Sequence, residues 1–320
     1  MATLHSVSIL RFFALAVAAL LFGVAPAYAV TAAGDPMANA RLVGEKRCGE
    51  CHDTEKTLFG HTQHAQIFRG NPRNELEKSV CEACHGNGSL HAADTKDKTK
   101  IIGFSKEWGT TIERQNNQCL TCHSGGQRMH WAGSLHEKNK LACSDCHNPM
   151  ARFSANGLLK KAGITETCQS CHQQQRAEFR KRSHMPVPEG KMTCVDCHNP
   201  HGSTSKVMLK ADTVNDLCYS CHAEKRGPYI WEHAPVRQNC LACHNAHGSN
   251  QDKLLIAPRP MLCQQCHLSG HQMAFYSSAD IVGASAGSIA NRKVLANRSC
   301  QNCHSQIHGS NSPAGARYQR

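Results

Sequence analysis

Cys-x-x-Cys-His is the pattern with chemistry in it, and it accounts for every one of the twenty cysteines. The first five copies are Cys48, Cys51 and His52; Cys81, Cys84 and His85; Cys119, Cys122 and His123; Cys143, Cys146 and His147; and Cys168, Cys171 and His172. The second five are Cys194, Cys197 and His198; Cys218, Cys221 and His222; Cys240, Cys243 and His244; Cys263, Cys266 and His267; and Cys300, Cys303 and His304. Two thiols one helical turn apart can each add to one vinyl group at the edge of a single haem, and the histidine after them then coordinates the iron. A zinc ribbon also uses paired cysteines, but it does not need a histidine directly after every pair. A disulfide framework built of ten very short loops would be a poor staple. The pattern implies ten covalently bound haem c groups.

A haem held by one histidine leaves a sixth position, so a second set of ligands must follow. Outside the motifs, and beyond His5, the histidines are His61, His64, His91, His130, His136, His184, His201, His233, His247, His271 and His308. Their placement repeats. Motif, His136, motif, Asn148-Pro149-Met150 is followed by motif, His184, motif, Asn199-Pro200-His201, and then by motif, His233, motif, Asn245-Ala246-His247. His64 and His91 fit the first motif pair more loosely, and His271 and His308 each stand four residues after a motif histidine. His61 and His130 fall outside this register, as spare or solvated side chains. The nine in-register histidines are the expected distal ligands, with Met150 as the tenth. A thioether can coordinate haem iron; the competing readings are that His130 or His61 moves in, or that Met150 only fills apolar space.

The elements that must carry these ligands are short. Thr110-x-x-Glu113 before Cys119, Thr213-x-x-Asp216 before Cys218 and Pro260 before Cys263 are helix starts, placing each motif on the last turns of a helix. Gln173 to Arg182 reads as the best continuous helix. His91 to Lys100 and Ser277 to Ala290 read as loops, and the basic tail after Gly309 as an extended arm. Residues 1–29 read as a cleaved leader: Arg11, an apolar run from Phe12 to Val24, and a small-x-small site at Ala27-Tyr28-Ala29. Export places the mature chain where haem is attached, in a bacterium the periplasm.

Composition fits cofactors as the core. The chain has nine Phe, five Tyr and three Trp, of which Phe12, Phe13, Phe22 and Tyr28 leave with the leader. So few large side chains cannot close an ordinary core at this length. The expected fold is mostly irregular and α, with little β: short helices and long loops wrapped around a chain of ten haems. The formal charge of +12 falls by one with Arg11, and haem propionates, ionised like ordinary carboxyls, offset most of the remainder. The basic side chains neutralise propionates rather than bind nucleic acid.

Ser220 to Ser249 (SCHAEKRGPYIWEHAPVRQNCLACHNAHGS), with MTCVDCHNPHGS at 192–203 and SCQNCHSQIHGSNSP at 299–313, resembles the MtrA/DmsE-type periplasmic decahaem cytochromes, which include those of iron-oxidising bacteria. The resemblance covers the mature chain and departs at Met150, where the family has histidine. It implies an elongated wire of two pentahaem halves, here 30–185 and 186–320. It also implies partners: an outer-membrane β-barrel porin, periplasmic or inner-membrane cytochromes, and a surface multihaem cytochrome. Ten six-coordinate centres describe a conductor rather than a catalyst, and there is no Cys-x-x-Cys-Lys site of the nitrite-reducing kind. The expected role is electron transfer between periplasm and exterior, in metal reduction or Fe(II) oxidation. The alternative is a soluble periplasmic carrier serving a terminal reductase such as a dimethyl sulfoxide reductase.

Overall fold

The structure, a computed structural model, describes residues 34–259, 261–267, 299–313 and 315–318. The leader, Pro260, His271 and the 277–290 stretch lie outside the described residues. Among the described residues there is no β-strand; extended segments meet only in isolated bridges. The elements are short helices and single 3-10 turns, and the longest helix is Ile112–His123, with twelve residues. Fold class is therefore as the composition implied.

The helices are nucleated by capping rather than by long amphipathic faces. Thr62, Asn74, Thr111, Ser134 and Thr213 each accept a hydrogen bond from a backbone N–H of the first turn they precede. Thr213 behaves as its motif predicts, its Oγ1 accepting from Asp216 N–H at 3.0 Å. At Thr110-x-x-Glu113 the cap slips one residue to Thr111, because the Thr110 hydroxyl is occupied in accepting from Gly103 N–H. The predicted helix over 173–182 is only Gln173–Glu178; it stops where Phe179 turns inward and becomes buried.

Two stretches expected to be irregular are ordered. His91 sits in the helix Ser89–Ala93, and Lys98–Lys100 forms a 3-10 turn capped by Asp97. The tail folds back instead of extending. Ser310 bridges Trp231 through N–H to carbonyl bonds of 2.9 and 3.0 Å, and the Tyr318 hydroxyl donates to the Glu232 carbonyl at 2.7 Å. These are long-range backbone pairings, which no local pattern announces.

The polypeptide builds little core of its own. The two largest fully buried side chains are Glu77 and Thr62, both polar, while Ile230, Met129, Leu42 and Phe153 are more than half exposed. A chain this long normally buries large aliphatic and aromatic groups first. The one apolar cluster among the described residues is small: Phe59, Ala65 and Val80, with Phe68, Cys81 and Met150 packed against it. Among the described residues no helix is long and apolar enough to cross a membrane.

Candidate functional site: paired imidazoles along a line of thiols

One local module places a motif and its neighbours three times over. His147 bridges Leu159, His198 bridges Leu209, and His244 bridges Leu255. In each copy the residue after the histidine donates its N–H across the loop: Asn148 to the Leu158 carbonyl (2.6 Å), Asn199 to Met208 (2.8 Å) and Asn245 to Leu254 (2.7 Å). The chain returns through a residue at positive φ (Leu158, Met208 and Leu254). The same asparagine then accepts from the N–H two residues on: Met150 (3.0 Å), His201 (3.2 Å) and His247 (3.1 Å). This Asx turn aims the third residue after the motif away from its own motif.

Seven of the sequence-predicted distal histidines meet a motif histidine. The ring centroids are 6.4 Å apart for His52 and His91, 5.9 Å for His123 and His64, and 6.0 Å for His147 and His201. They are 6.2 Å apart for His172 and His136, 6.3 Å for His198 and His247, 6.2 Å for His244 and His308, and 6.2 Å for His267 and His233. A metal–imidazole bond of about 2.0–2.1 Å on each side, plus roughly 1 Å from ring nitrogen to ring centre, sets trans imidazoles about 6 Å apart. The spacing therefore fits a metal ion between each pair. His184 is not brought to an imidazole; its Nε2 meets Glu189 Oε1 at 3.0 Å. His61 and His130, the two out-of-register histidines, are exposed.

The other ring nitrogen is held as a metal ligand requires. Nδ1 of His85, His147, His198, His244 and His304 lies 2.6–3.0 Å from the backbone carbonyls of Ile102, Gly157, Val207, Lys253 and Arg317. His136 and His233 do the same with Pro200 and Ile307, the residues just before His201 and His308. A carbonyl accepting from Nδ1–H keeps the ring proton on that nitrogen and leaves the Nε2 lone pair outward. Burial pushes His64, His85, His91, His123, His172, His198, His233 and His308 below the ordinary imidazole value. Burial, with the neighbouring His147, takes His201 down to about 4. These rings are neutral at pH 7, the ligating form.

The thiols form a second regular array. All twenty cysteines are free. The first thiol of each odd motif lies close enough to the first thiol of the next to perturb it: Cys48 with Cys81, Cys119 with Cys143, Cys168 with Cys194, Cys218 with Cys240, and Cys263 with Cys300. Between these pairs the second thiols are within electrostatic range of one another, Cys84 of Cys122, Cys146 of Cys171, Cys197 of Cys221, and Cys243 of Cys266. Burial pushes the Cys84 thiol up to about 11, with Cys122 adding to it. The thiols of successive motifs thus neighbour one another from first to tenth, in chain order. Among the described residues no three His, Cys, Asp or Glu side chains converge as a bare metal site would require, so the geometry suits ligands on two faces of a plane rather than a tetrahedral ion.

Paired Nε2 lone pairs, a thiol pair before each motif histidine and a fold without its own core define a multihaem c-type cytochrome, an electron-transfer protein. Residues 136–177, 184–227 and 233–272 match the doubled CXXCH motif family, and residues 81–154 match the cytochrome c-type protein NrfB-like family. The chain is 41% identical over 278 residues to the multiheme cytochrome MtrA of Shewanella baltica, covering 87% of this chain and 81% of that one. It belongs to the MtrA-type multihaem cytochromes. Among solved structures, an undecaheme cytochrome from the S-layer of Carboxydothermus ferrireducens matches with 19% identity and a TM-score of 0.12, over 76% of this chain and 32% of that one. The chain thus spans about a third of that cytochrome, and the likeness carries no argument.

Proposed function

We propose that the chain carries ten covalent haems and passes electrons between the periplasm and the cell exterior, seated in an outer-membrane porin–cytochrome complex. The observation that carries this reading is the set of seven imidazole pairs at metal-bridging spacing, with the thiols of successive motifs lying near one another along the chain. Haem bound at each motif supplies a one-electron centre. The chain's part is to hold successive attachment points against one another and to close both axial faces with imidazole.

The ligand pairs cross between motifs. His201 and His247, after the sixth and eighth motifs, face the histidines of the fourth and sixth. His64, His136 and His233, which follow the first, third and seventh motifs, face those of the third, fifth and ninth. The same rule assigns His184 to His222. Each distal ligand is thereby supplied from a different motif's segment, which locks neighbouring units together. The halves 30–185 and 186–320 interlock in the same way, His201 reaching back to His147 and Ser183 pairing with Ser249. Saturated irons offer a substrate no open position, so the protein is a wire and not an enzyme.

Residues 1–29 serve as the export leader. Membership of the MtrA-type cytochromes supports the barrel partner, with periplasmic or inner-membrane cytochromes at one end and a surface multihaem cytochrome at the other. Such a complex would serve extracellular electron transfer, as metal reduction or iron(II) oxidation. The test is reconstitution of the barrel in liposomes loaded with a redox dye, with and without the cytochrome. Dye turnover that depends on the cytochrome is expected; equal turnover in both overturns the conduit and favours a soluble periplasmic carrier to a reductase.

A further inference from the structure

The structure assigns Met150 to the second motif: we infer that its thioether is the sixth ligand of the iron whose other ligand is His85. This rests on haem occupying the motifs as proposed above.

Three independent observations converge on it. First, the loop holding Met150 is built like those holding His201 and His247, with the same Asx turn from Asn148 and the same bridge from the motif histidine to a leucine. In the sister loops that third residue turns to the motif two before its own: His201 to His147, and His247 to His198. His308 does likewise with His244. The same step from the fourth motif lands on the second. Second, Met150 packs against the same Phe59–Ala65–Val80 cluster as Cys81, the first cysteine of the second motif. Third, His85 is prepared as a ligand, and among the described residues no imidazole pairs with it as in the seven pairs above. Its Nδ1 is held by the Ile102 carbonyl at 2.8 Å, and its recorded ring neighbour is Phe104, edge-on at 5.2 Å.

The rival donors are placed elsewhere. His130 is exposed, and its carbonyl lies against Gly202, beside the fourth motif's pair. His61 is exposed at the end of the helix Asp53–Gly60. Packing against Phe59 and Phe68 is what a gap-filling methionine would also do. That role alone, however, does not require the preserved Asx turn, nor does it account for an imidazole missing from one side of His85. Replacing an imidazole by a thioether raises the reduction potential of the iron it binds. The second centre from the N-terminal end is therefore the first to accept an electron, and it sets an energetic step near one terminus of the run.

The experiment uses the mature holoprotein, its haem content verified by mass. Ferric haem with a thioether ligand shows a charge-transfer band at the red edge of the visible spectrum, and ferrous haem of this kind shows a strongly shielded methionine methyl resonance in proton NMR. Wild type should show both, Met150→His neither, and the most positive one-electron wave of the redox titration should move among the others in that variant. To identify the haem, Cys81→Ala/Cys84→Ala and Cys143→Ala/Cys146→Ala each remove one attachment site. The band should vanish in the first and persist in the second. Should either nine-haem variant fail to accumulate, cryo-electron microscopy of the wild type reads directly which iron the sulfur meets. A band lost with the fourth site and kept without the second assigns Met150 to its own motif's haem and overturns the inference. A ten-haem wild type without the band removes the thioether ligand altogether, whereas a mass short of ten haems overturns the reading beneath it.

Discussion

At the scale of single residues, the glycines after His201 and His247 do a job that the histidines cannot do alone. A Cβ on Gly202 would stand 2.1 Å from the His130 carbonyl oxygen, and one on Gly248 would stand 2.0 Å from that of Glu178. Gly202 also has φ +106, a conformation that penalises any side chain. In the copy with Met150 the next residue is Ala151, buried at 5% exposure, so that loop does not make the same backbone approach. Gly202→Ala should cost about 1–3 kcal/mol through clash and strain and push His201 off its partner. The readout is a high-spin ferric component, absent from wild type, together with a lowered melting temperature. Ala151→Gly should change neither by more than about 0.5–1 kcal/mol, the ordinary backbone-entropy cost of glycine. His-Gly was legible in the sequence as a repeat; the reason for the glycine was not, because the backbone it touches lies about seventy residues away in one case and in the next.

At the scale of elements, the motif pairs starting at Cys119 and Cys218 are each pinned by an asparagine three residues before the first cysteine. Asn116 donates to the Leu141 carbonyl (3.1 Å) and accepts from Cys143 N–H (2.7 Å). Asn215 donates to the Val236 and Arg237 carbonyls (2.9 and 3.0 Å) and accepts from Cys240 N–H (2.8 Å). These buried amides tie the helices Ile112–His123 and Val214–Tyr219 to the start of the following motif. Asn215→Ala leaves the Cys240 N–H and two carbonyls without partners, and a buried unsatisfied group costs about 1–3 kcal/mol. The expected outcome is a loss of that order in chemical denaturation of the holoprotein, with Asn215→Asp closer to wild type because it keeps the acceptor. The start of even motifs is secured from the other side as well. Asp145 and Asp196, between their cysteines, accept from Ala142 N–H at 2.7 Å and Thr193 N–H at 2.6 Å. Capping signals such as Thr213 were readable because they act within four residues. The ordering of 91–100 and of the tail was not readable, since composition reports solvation and these segments are held by partners such as Trp231 and Glu232.

At the scale of the whole molecule, the feature to test is completeness. Thiols of successive motifs lie near one another from the first motif to the tenth, so on the proposed reading a missing haem in the middle interrupts a line. Mass spectrometry of the mature protein should give the polypeptide from residue 30 plus ten haems and no alkylatable thiol. Nine or fewer in fully matured material would contradict that count. Replacing Cys168 and Cys171 by alanine should abolish cytochrome-dependent dye turnover in the barrel liposomes, where the loss of an end haem need only slow it. Retained turnover at the wild-type rate would show that electrons bypass the middle of the line.

The sequence by itself determined the chemistry of this protein. Covalent haem attachment needs two thiols and a histidine at one spacing, a local requirement written ten times and therefore readable without coordinates. It also determined which side chains were available as second ligands, because the repeat keeps them in register with the motifs. What only the tertiary structure decided is which ligand faces which motif. Six of the seven paired distal histidines turn to the motif two before or two after their own, and His91 to the one just before, a choice made by Asx turns and by contacts between segments far apart in the chain. Sequence spacing sees neither. For the same reason Met150 was visible from the start as a substitution in a repeat, but its place opposite His85 emerged only when the loops around it were folded.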